Sequence, residues 1–197
     1  MRDDDLMNSP GVPPEPEEQK KESFSLKSEL YDWAQALVFA LVFVVLLNTF
    51  VVRIIGVDGH SMMQTLHDGD RIVLSGLFYE PEPGDIVVLT KKSFRSEPIV
   101  KRVIAVAGQT IDINFITHEV FVDGVLQDEP YINEPTVERG DMEFPLTVEE
   151  GCIFVMGDNR NRSTDSRWST IGMVDTRAVL GKVYFRIYPF NNISRIQ

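Results

Sequence analysis

Three short segments of this chain carry side chains that could do chemistry, and the first contains a serine. Residues 57–66 read VDGHSMMQTL, with Ser61 two residues after Gly59. Because glycine has no side chain, Gly59 lets the backbone approach a bound ligand closely. A serine beside such a glycine is a candidate nucleophile. It is far more often an ordinary loop residue, so this segment alone is weak evidence for an active site.

The second segment places a lysine inside an apolar run. Residues 99–106 read IVKRVIAV, and in a strand Lys101 and Arg102 would point to opposite faces. Burial disfavours the charged ammonium and lowers the pKa of a lysine, as a general base near neutral pH requires. The alternative is an edge strand whose lysine prevents aggregation. Without other evidence, the edge strand is the favoured explanation.

The third segment, residues 157–167, is dense in hydrogen-bonding groups and reads GDNRNRSTDSR. It follows the apolar run 153–156, which is typical of a buried strand. A polar run is ordinarily a solvated loop. In an extended chain, however, Ser163, Asp165 and Arg167 would lie on one side, and a paired Asp and Arg at the end of a strand usually brace a neighbouring element.

The composition excludes several other kinds of site. The chain has 197 residues and a formal net charge of −11, so it lacks the basic surface that nucleic acids require, and we expect no nucleic-acid partner. Cys152 is the only cysteine, which excludes an intrachain disulfide and a cysteine-rich metal site. His60, His67 and His118 lack the spacing of metal ligands. We therefore expect no metal and no cofactor.

The N-terminal quarter of the chain divides into a polar tail and an apolar span. Residues 1–32 hold nine acidic and four basic side chains and no long apolar run, so we predict a cytoplasmic tail that is disordered up to about Ser25. Residues 33–52 carry no charge, and a helix of this length spans about 30 Å, the thickness of a bilayer core. The alternatives are a buried core helix and a cleaved signal peptide, but the run is apolar all round, long and without a small-residue cleavage site.

Lysines flanking the span predict its orientation. Lys20, Lys21 and Lys27 precede it, whereas only Arg53 follows immediately. The positive-inside bias then places the N-terminus in the cytoplasm and residues 53–197 outside it, across the cell membrane.

The extracytoplasmic part of the chain is predicted to be mostly β. Short runs rich in Val, Ile, Phe and Tyr, bounded by turn residues, predict strands. These runs are Arg71–Leu74, Asp85–Leu89, Ile99–Ala105 and Val183–Tyr188. Residues 120–126 read VFVDGVL, and Asp-Gly predicts a two-residue hairpin turn. The expected architecture is one transmembrane helix carrying a mostly antiparallel β domain.

Together the three segments resemble the type I signal peptidases, the membrane-bound serine proteases that remove signal peptides from exported proteins. The most specific element is GDNRxxSxDSR at residues 157–167. It is joined by the serine box at 61–66, the box GDIVV at 84–88, and KRVI at 101–104. The resemblance covers the membrane helix and nearly all of the β domain. Because of this resemblance, the favoured interpretation of Ser61 changes from a loop residue to a nucleophile, and that of Lys101 from an edge-strand lysine to a general base.

The resemblance implies a Ser-Lys dyad in place of a Ser-His-Asp triad. Ser61 corresponds to the nucleophile and Lys101 to the general base, and the Ser61 backbone N–H to a donor of the oxyanion hole. Ser163 matches the family serine that hydrogen-bonds and orients the lysine. The residues that match the scaffold bracing this wall of the site are Asp158, Arg160, Asp165 and Arg167.

The resemblance also implies the substrate and the partners. Signal peptidases bind signal peptides of exported preproteins with small residues, commonly Ala-x-Ala, before the cleaved bond. Met62 and Leu66 match positions that help to line the small apolar pockets. The other implied partner is the lipid bilayer, and anchoring places Ser61 near its surface.

Several departures from the family pattern are visible. Gln64 stands where the serine box usually has proline, residues 105–109 (AVAGQ) replace Gly-x-Pro-Gly-Asp, and Gly59 stands where some members have a serine that helps to hold the oxyanion. The source of the second oxyanion donor is therefore open. The chain between Arg102 and Asp158 allows only a small β excursion, roughly residues 112–150.

Three alternatives remain at this stage. One is a different Ser-Lys protease on a similar scaffold, such as the self-cleaving repressors, although these carry a DNA-binding domain where this chain has an acidic tail. Another is a catalytically silent, membrane-anchored binding module, against which the presence of Ser61, Lys101 and Ser163 argues. A Ser-His pair is the weakest alternative, since His60 is adjacent to Ser61 and points elsewhere in an extended chain.

Overall fold

The computed structural model describes residues 26–50 and 52–196. The predicted disordered tail up to about Ser25 lies outside these residues. Within the described residues, the chain divides into two units between Leu41 and Val42. Its architecture confirms the predicted fold class, one N-terminal apolar helix and a mostly antiparallel β fold.

Helix α1 spans Leu26–Phe50 and begins before the predicted apolar run. Glu29 lies in its first turn, where a negative charge favourably meets the helix dipole. The window Glu29–Leu46 is long and apolar enough to cross a membrane, and none of it is buried. A core helix would bury much of its surface, so this exposure argues against the core-helix alternative, and the window is a candidate membrane span by its length and composition.

The first sheet has eight strands and holds the predicted ones. Its order is β1-β2-β11-β3-β4-β9-β10, with β12 paired to β11, and every pair is antiparallel. The strands are β1 (Arg53–Gly56), β2 (Arg71–Ser75), β3 (Ile86–Leu89), β4 (Ile99–Val106), β9 (Cys152–Met156), β10 (Val174–Asp175), β11 (Val179–Tyr188) and β12 (Ser194–Arg195).

A smaller sheet of four strands lies between β4 and β9 in the chain. The strands are β5 (Thr110–Asn114), β6 (Glu119–Val122), β7 (Val125–Leu126) and β8 (Leu146–Thr147), in the order β7-β6-β5-β8. Asp123 and Gly124 join β6 to β7 with φ of 51° and 77°. The predicted Asp-Gly hairpin is therefore confirmed, because this turn needs two residues with positive φ.

Strand β4 lies in the interior of the first sheet, between β3 and β9. Its residues contribute to three separate apolar clusters: Val100 to one, Ile104 to a second and Val103 to a third. The edge-strand explanation of Lys101 is therefore wrong, since both sides of β4 are paired. Lys101 is buried among packed strands.

Candidate active site

Ser61 and Lys101 meet side by side although forty positions separate them in the chain. Lys101 lies in the middle of β4, and Ser61 lies in the loop that joins β1 to β2. The loop closes where Val57 N–H donates to the carbonyl of Asp70 at 2.8 Å. Lys101 Nζ donates to Ser61 Oγ at 2.7 Å. This distance is a full hydrogen bond between a hydroxyl and an amine.

Burial changes the acid-base behaviour of Lys101. Lys101 is only 3% exposed. This burial lowers the pKa of Lys101 from 10.5 to about 8. The negative charges of Asp165 and Asp158 act in the opposite direction, but burial outweighs them. A substantial neutral fraction therefore exists close to neutral pH, and a neutral amine can accept a proton.

Asp165 and Arg167 form a buried, bidentate ion pair behind the lysine. Arg167 Nε and Nη2 donate to the two carboxylate oxygens of Asp165 at 2.8 and 2.9 Å. Burial alone would raise the pKa of Asp165, but the Arg167 guanidinium and the Gly157 N–H hold it below its usual value. Arg167 also donates to the carbonyls of Arg160 and Glu138. The pair thus ties together several parts of the loop 157–167.

Ser163 does not make the predicted hydrogen bond to Lys101. Its buried Oγ lies close to Asp165 and helps to lower the pKa of that carboxyl. Lys101 Nζ instead bonds to Ser61 Oγ and to the carbonyl of Val100. Ser163 packs closely on Gly157, where an added Cβ would lie 2.3 Å from Ser163 Oγ and 2.4 Å from Ser61 O. Only glycine at position 157 allows the serine loop to approach this closely.

Asp158 connects the serine loop to β4. Arg102 Nε and Nη2 donate to Asp158 Oδ1 and Oδ2 at 2.9 and 2.8 Å. Thr65 Oγ1, in the serine loop, donates to the same carboxylate. Because Arg102 follows Lys101 in β4 and Thr65 lies in the loop of Ser61, one buried carboxylate holds both halves of the site in register.

Arg160 is held by a residue that the sequence did not single out. Arg160 Nη1 and Nη2 donate to the carboxylate of Glu129 at 2.8 and 2.7 Å. Tyr131, two residues later, lies under the guanidinium of Arg102 at 3.9 Å. Glu129 and Tyr131 belong to the segment between β7 and β8. No local pattern marks this segment, so only the tertiary structure shows that it supports the site.

A cleft of about 200 Å³ opens beside Ser61. Ile99, Val100 and Arg162 line it together with Met62, whose side chain is only 2% exposed and packs in the same core cluster as Leu66. Leu66 does not line the cleft: it is fully buried and packs in the core below the loop. Its predicted role in the substrate pocket is therefore corrected, because a side chain with no exposed surface cannot contact a substrate.

His60 also lines the cleft, but it offers no support for a Ser-His pair. Its imidazole makes no hydrogen bond to any described residue, while Ser61 Oγ is engaged by Lys101. Among the described residues no group of three or more His, Cys, Asp or Glu side chains could hold a metal ion.

The residues that depart from the family pattern form hydrogen bonds of their own. Gln64 is exposed, and its side-chain amide donates to Asn133. The Gln109 side chain accepts a hydrogen bond from Val106 N–H at 3.0 Å and closes the turn after β4. Gly59 has φ of 100°, and its N–H donates to Asp68. Because glycine has no side chain, position 59 supplies no side-chain donor to the cleft.

Comparison with known proteins defines the class of this chain: it is a serine peptidase. Residues 30–188 match the family described as "Signal peptidase, peptidase S26". A signal peptidase I of Bacillus licheniformis is 35% identical over 187 residues, which cover 89% of this chain and 98% of that one. Signal peptidase IB of Staphylococcus aureus is 32% identical, over 86% of this chain and 95% of that one.

The chain therefore belongs to the signal peptidase I family, whose enzymes remove signal peptides from preproteins. Among solved structures, a signal peptidase I from Enterococcus faecalis V583 matches 53% of this chain and 97% of its own, with 30% identity and a TM-score of 0.44.

Proposed function

We propose that this protein is a membrane-bound endopeptidase that cleaves signal peptides from exported preproteins with Ser61 as nucleophile and Lys101 as general base. The observation that carries the proposal is the 2.7 Å contact between Lys101 Nζ and Ser61 Oγ. It occurs where burial lowers the pKa of the lysine to about 8. The two conditions for a Ser-Lys dyad, reach and a basic neutral amine, are thus met together.

The reaction follows from this geometry. The Ser61 hydroxyl gives its proton to the neutral amine of Lys101 as Oγ attacks the carbonyl carbon of the scissile peptide. The Ser61 backbone N–H donates to the oxyanion of the tetrahedral intermediate. Lys101, now an ammonium, returns the proton to the leaving amine, and an acyl-enzyme on Ser61 remains. A water molecule, deprotonated by Lys101, then hydrolyses the ester and restores the enzyme.

The buried ion pairs serve as the scaffold of this site. Asp165 with Arg167, and Arg160 with Glu129, fix the loop 157–167. Asp158 with Arg102 fixes the serine loop relative to β4. Ser163 completes the wall by packing on Gly157. These residues hold the dyad in place without taking part in proton transfer.

The cleft beside Ser61 is the proposed site for the residues that precede the cleaved bond. The family resemblance implies that these residues are small, and Ile99 and Val100 in the wall of the cleft offer them apolar contact. We therefore propose cleavage after Ala-x-Ala segments of signal peptides. A substrate in which either alanine is replaced by leucine is expected to lose most of its turnover.

Helix α1 supplies the membrane anchor. Its window Glu29–Leu46 is apolar and unburied, and the lysines precede it. We propose that the helix spans the cell membrane with its N-terminus in the cytoplasm and the β domain outside. The partners are then the lipid bilayer and the signal peptides. The net charge of −11 argues against nucleic acid.

Replacement of each dyad residue tests this function. In the full-length protein in detergent, Ser61→Ala and Lys101→Ala are each expected to abolish cleavage of a signal-peptide substrate and to leave the fold intact. Lys92→Ala, which removes an exposed lysine outside the cleft, is the matched control and should retain activity. Turnover that survives in purified Lys101→Ala would contradict the mechanism.

A further inference from the structure

Asn159 makes two hydrogen bonds to the loop that carries the nucleophile. Its backbone N–H donates to the carbonyl of Ser61 at 3.0 Å, and its side-chain Nδ2 donates to the carbonyl of His60 at 2.9 Å. Asn159 is 3% exposed. It follows Asp158, whose carboxylate Arg102 holds in a bidentate pair. The two donors therefore come from a rigid support.

These two bonds fix the direction in which the backbone amides of the serine loop point. The carbonyl of His60 and the N–H of Ser61 belong to the same peptide group, which is trans. In a trans peptide the C=O and the N–H point in opposite directions. A donor that holds the His60 oxygen therefore also holds the Ser61 N–H pointing away from Asn159. The Ser61 carbonyl fixes the Met62 N–H in the same way.

Both of these N–H groups are free to bind a substrate oxygen. Within the described chain neither Ser61 N–H nor Met62 N–H donates to an acceptor, although both residues line the cleft. Gly59 brings no hydroxyl to this place. The charge that develops on the scissile carbonyl oxygen must then be met by backbone amides, and their aim decides how well they meet it.

We propose that Asn159 is the positioning residue of the oxyanion hole, which aims the Ser61 N–H at the carbonyl oxygen of the scissile peptide. The proposal rests on the proposed function. A hydrogen bond to the His60 carbonyl also polarises the peptide group and makes its N–H a stronger donor. Met63 N–H, at 3.2 Å, is a second donor to the same carbonyl. Loss of the Asn159 amide thus leaves the loop folded but less firmly aimed.

Loss of the Asn159 side chain is expected to weaken binding of the transition state and not of the substrate. This distinguishes a positioning role from a merely structural one. An oxyanion donor interacts more strongly with the tetrahedral intermediate than with the bound peptide, so its loss lowers kcat and leaves KM unchanged. Removal of one oxyanion donor costs about 100- to 1000-fold in kcat. For Asn159→Ala, which misaims the donor without removing it, we expect a kcat lower by about 10- to 100-fold.

The experiment compares Asn159→Ala and Asn159→Asp with the wild type in the full-length protein. Asp keeps the shape of the side chain and replaces the donor with an acceptor that faces the His60 carbonyl. Four quantities are measured: kcat, KM, the inhibition constant of a substrate-like peptide aldehyde, and the midpoint of the pH profile. The aldehyde adds to a reactive serine and places an anionic oxygen in the oxyanion hole.

Asn161→Ala is the matched control. Asn161 is also an amide in the loop 157–167, but its side chain bonds to Pro135, Val137 and Glu138, away from the serine loop. We expect both Asn159 variants to lose kcat and aldehyde affinity in proportion, with KM and the pH midpoint unchanged. Asn161→Ala should keep kcat and aldehyde affinity close to those of the wild type.

Three results would overturn the proposal. One is an unchanged kcat and aldehyde affinity in both Asn159 variants, and another is a loss that appears in KM alone. If neither variant folds, Asn159→Ser takes their place, because serine keeps the backbone bond and is too short to reach His60. The third result is that Asn159→Ser also fails to fold, which would assign Asn159 a structural role only. Ser61→Ala serves to test the proposed function separately: if it retains turnover, the dyad itself is wrong, whatever Asn159 does.

Discussion

At the scale of single residues, Lys101 shows how position in the fold sets chemistry. An ordinary lysine is charged at neutral pH and could not accept a proton from a serine. In the interior strand β4 the surrounding side chains remove water from the amine, and the pKa falls to about 8. The nearby carboxylates limit the fall. In the proposed mechanism, burial thus makes Lys101 basic enough to act, and the 2.7 Å contact brings it to the Ser61 hydroxyl.

The pH dependence of turnover follows from this pKa. The free enzyme is active when Lys101 is neutral, so kcat/KM is expected to rise with pH and to level off above a midpoint near the pKa of about 8. Steady-state rates measured across the range in which the fold is stable provide the midpoint. A profile that stays flat through this region would count against Lys101 as the base.

The same burial predicts that Lys101 reduces the stability of the fold. Burial lowers the pKa of Lys101 from 10.5 to about 8, so the unfolded chain binds this proton more tightly, and stability rises with pH between the two values. At about 1.4 kcal/mol per pKa unit, Lys101→Met is expected to raise the free energy of unfolding at neutral pH by up to ~3 kcal/mol.

This gain should shrink as the pH rises from about 8 towards 10.5, where the lysine is neutral in both states. Denaturant unfolding of the wild type and of Lys101→Met at neutral and at alkaline pH measures the difference. Equal stability of the two proteins at neutral pH would show that Lys101 is not desolvated in solution.

At the scale of elements, the site depends on a strand and two loops that are far apart in the chain. Strand β4 supplies Lys101, the β1–β2 loop supplies Ser61, and the loop 157–167 supports both. The motif of this last loop predicts the Asp165–Arg167 pair, because the two residues are close in sequence. The partner of Arg160 could not be predicted, since Glu129 lies thirty-one positions earlier in a segment without a distinctive pattern.

The support from Glu129 can be tested through stability. Arg160 is fully buried and Glu129 nearly so, and removal of one partner of a buried pair leaves an uncompensated charge. Glu129→Ala is therefore expected to lower the free energy of unfolding by about 3 kcal/mol. Glu97→Ala removes an exposed carboxylate that pairs with Arg95 on the surface, and we expect little change there. Similar unfolding curves for both variants would refute the structural role of Glu129.

At the scale of the whole molecule, the chain combines an apolar helix with an acidic β fold. The described helix exposes large apolar side chains throughout Glu29–Leu46, which water solvates poorly and lipid accepts. With the lysines that precede this window and the net charge of −11, these side chains support the proposed contacts of the protein: a bilayer through the helix and signal peptides, not nucleic acid, through the cleft.

The orientation in the membrane can be tested by labelling of single cysteines. Because Cys152 is the only cysteine, Cys152→Ser provides a background without thiols. In intact cells a membrane-impermeant maleimide should label Ser96→Cys, which is exposed in the β domain, and should not label Ser9→Cys before the helix. Labelling of Ser9→Cys in intact cells, but not of Ser96→Cys, would reverse the predicted orientation.

The sequence by itself determined the apolar N-terminal helix, the β class and the Asp-Gly hairpin, and it placed Ser61 and Lys101 in motifs that resemble the signal peptidases, because each depends on local composition or on a contiguous motif. Only the tertiary structure decided that β4 is an interior strand, that Leu66 lies in the core, that Ser163 makes no bond to Lys101, that Glu129 pairs with Arg160, and that Asn159 bonds to the serine loop. These features depend on contacts between residues distant in the chain. Such contacts are fixed by the packing of strands against one another, for which no local pattern carries the information.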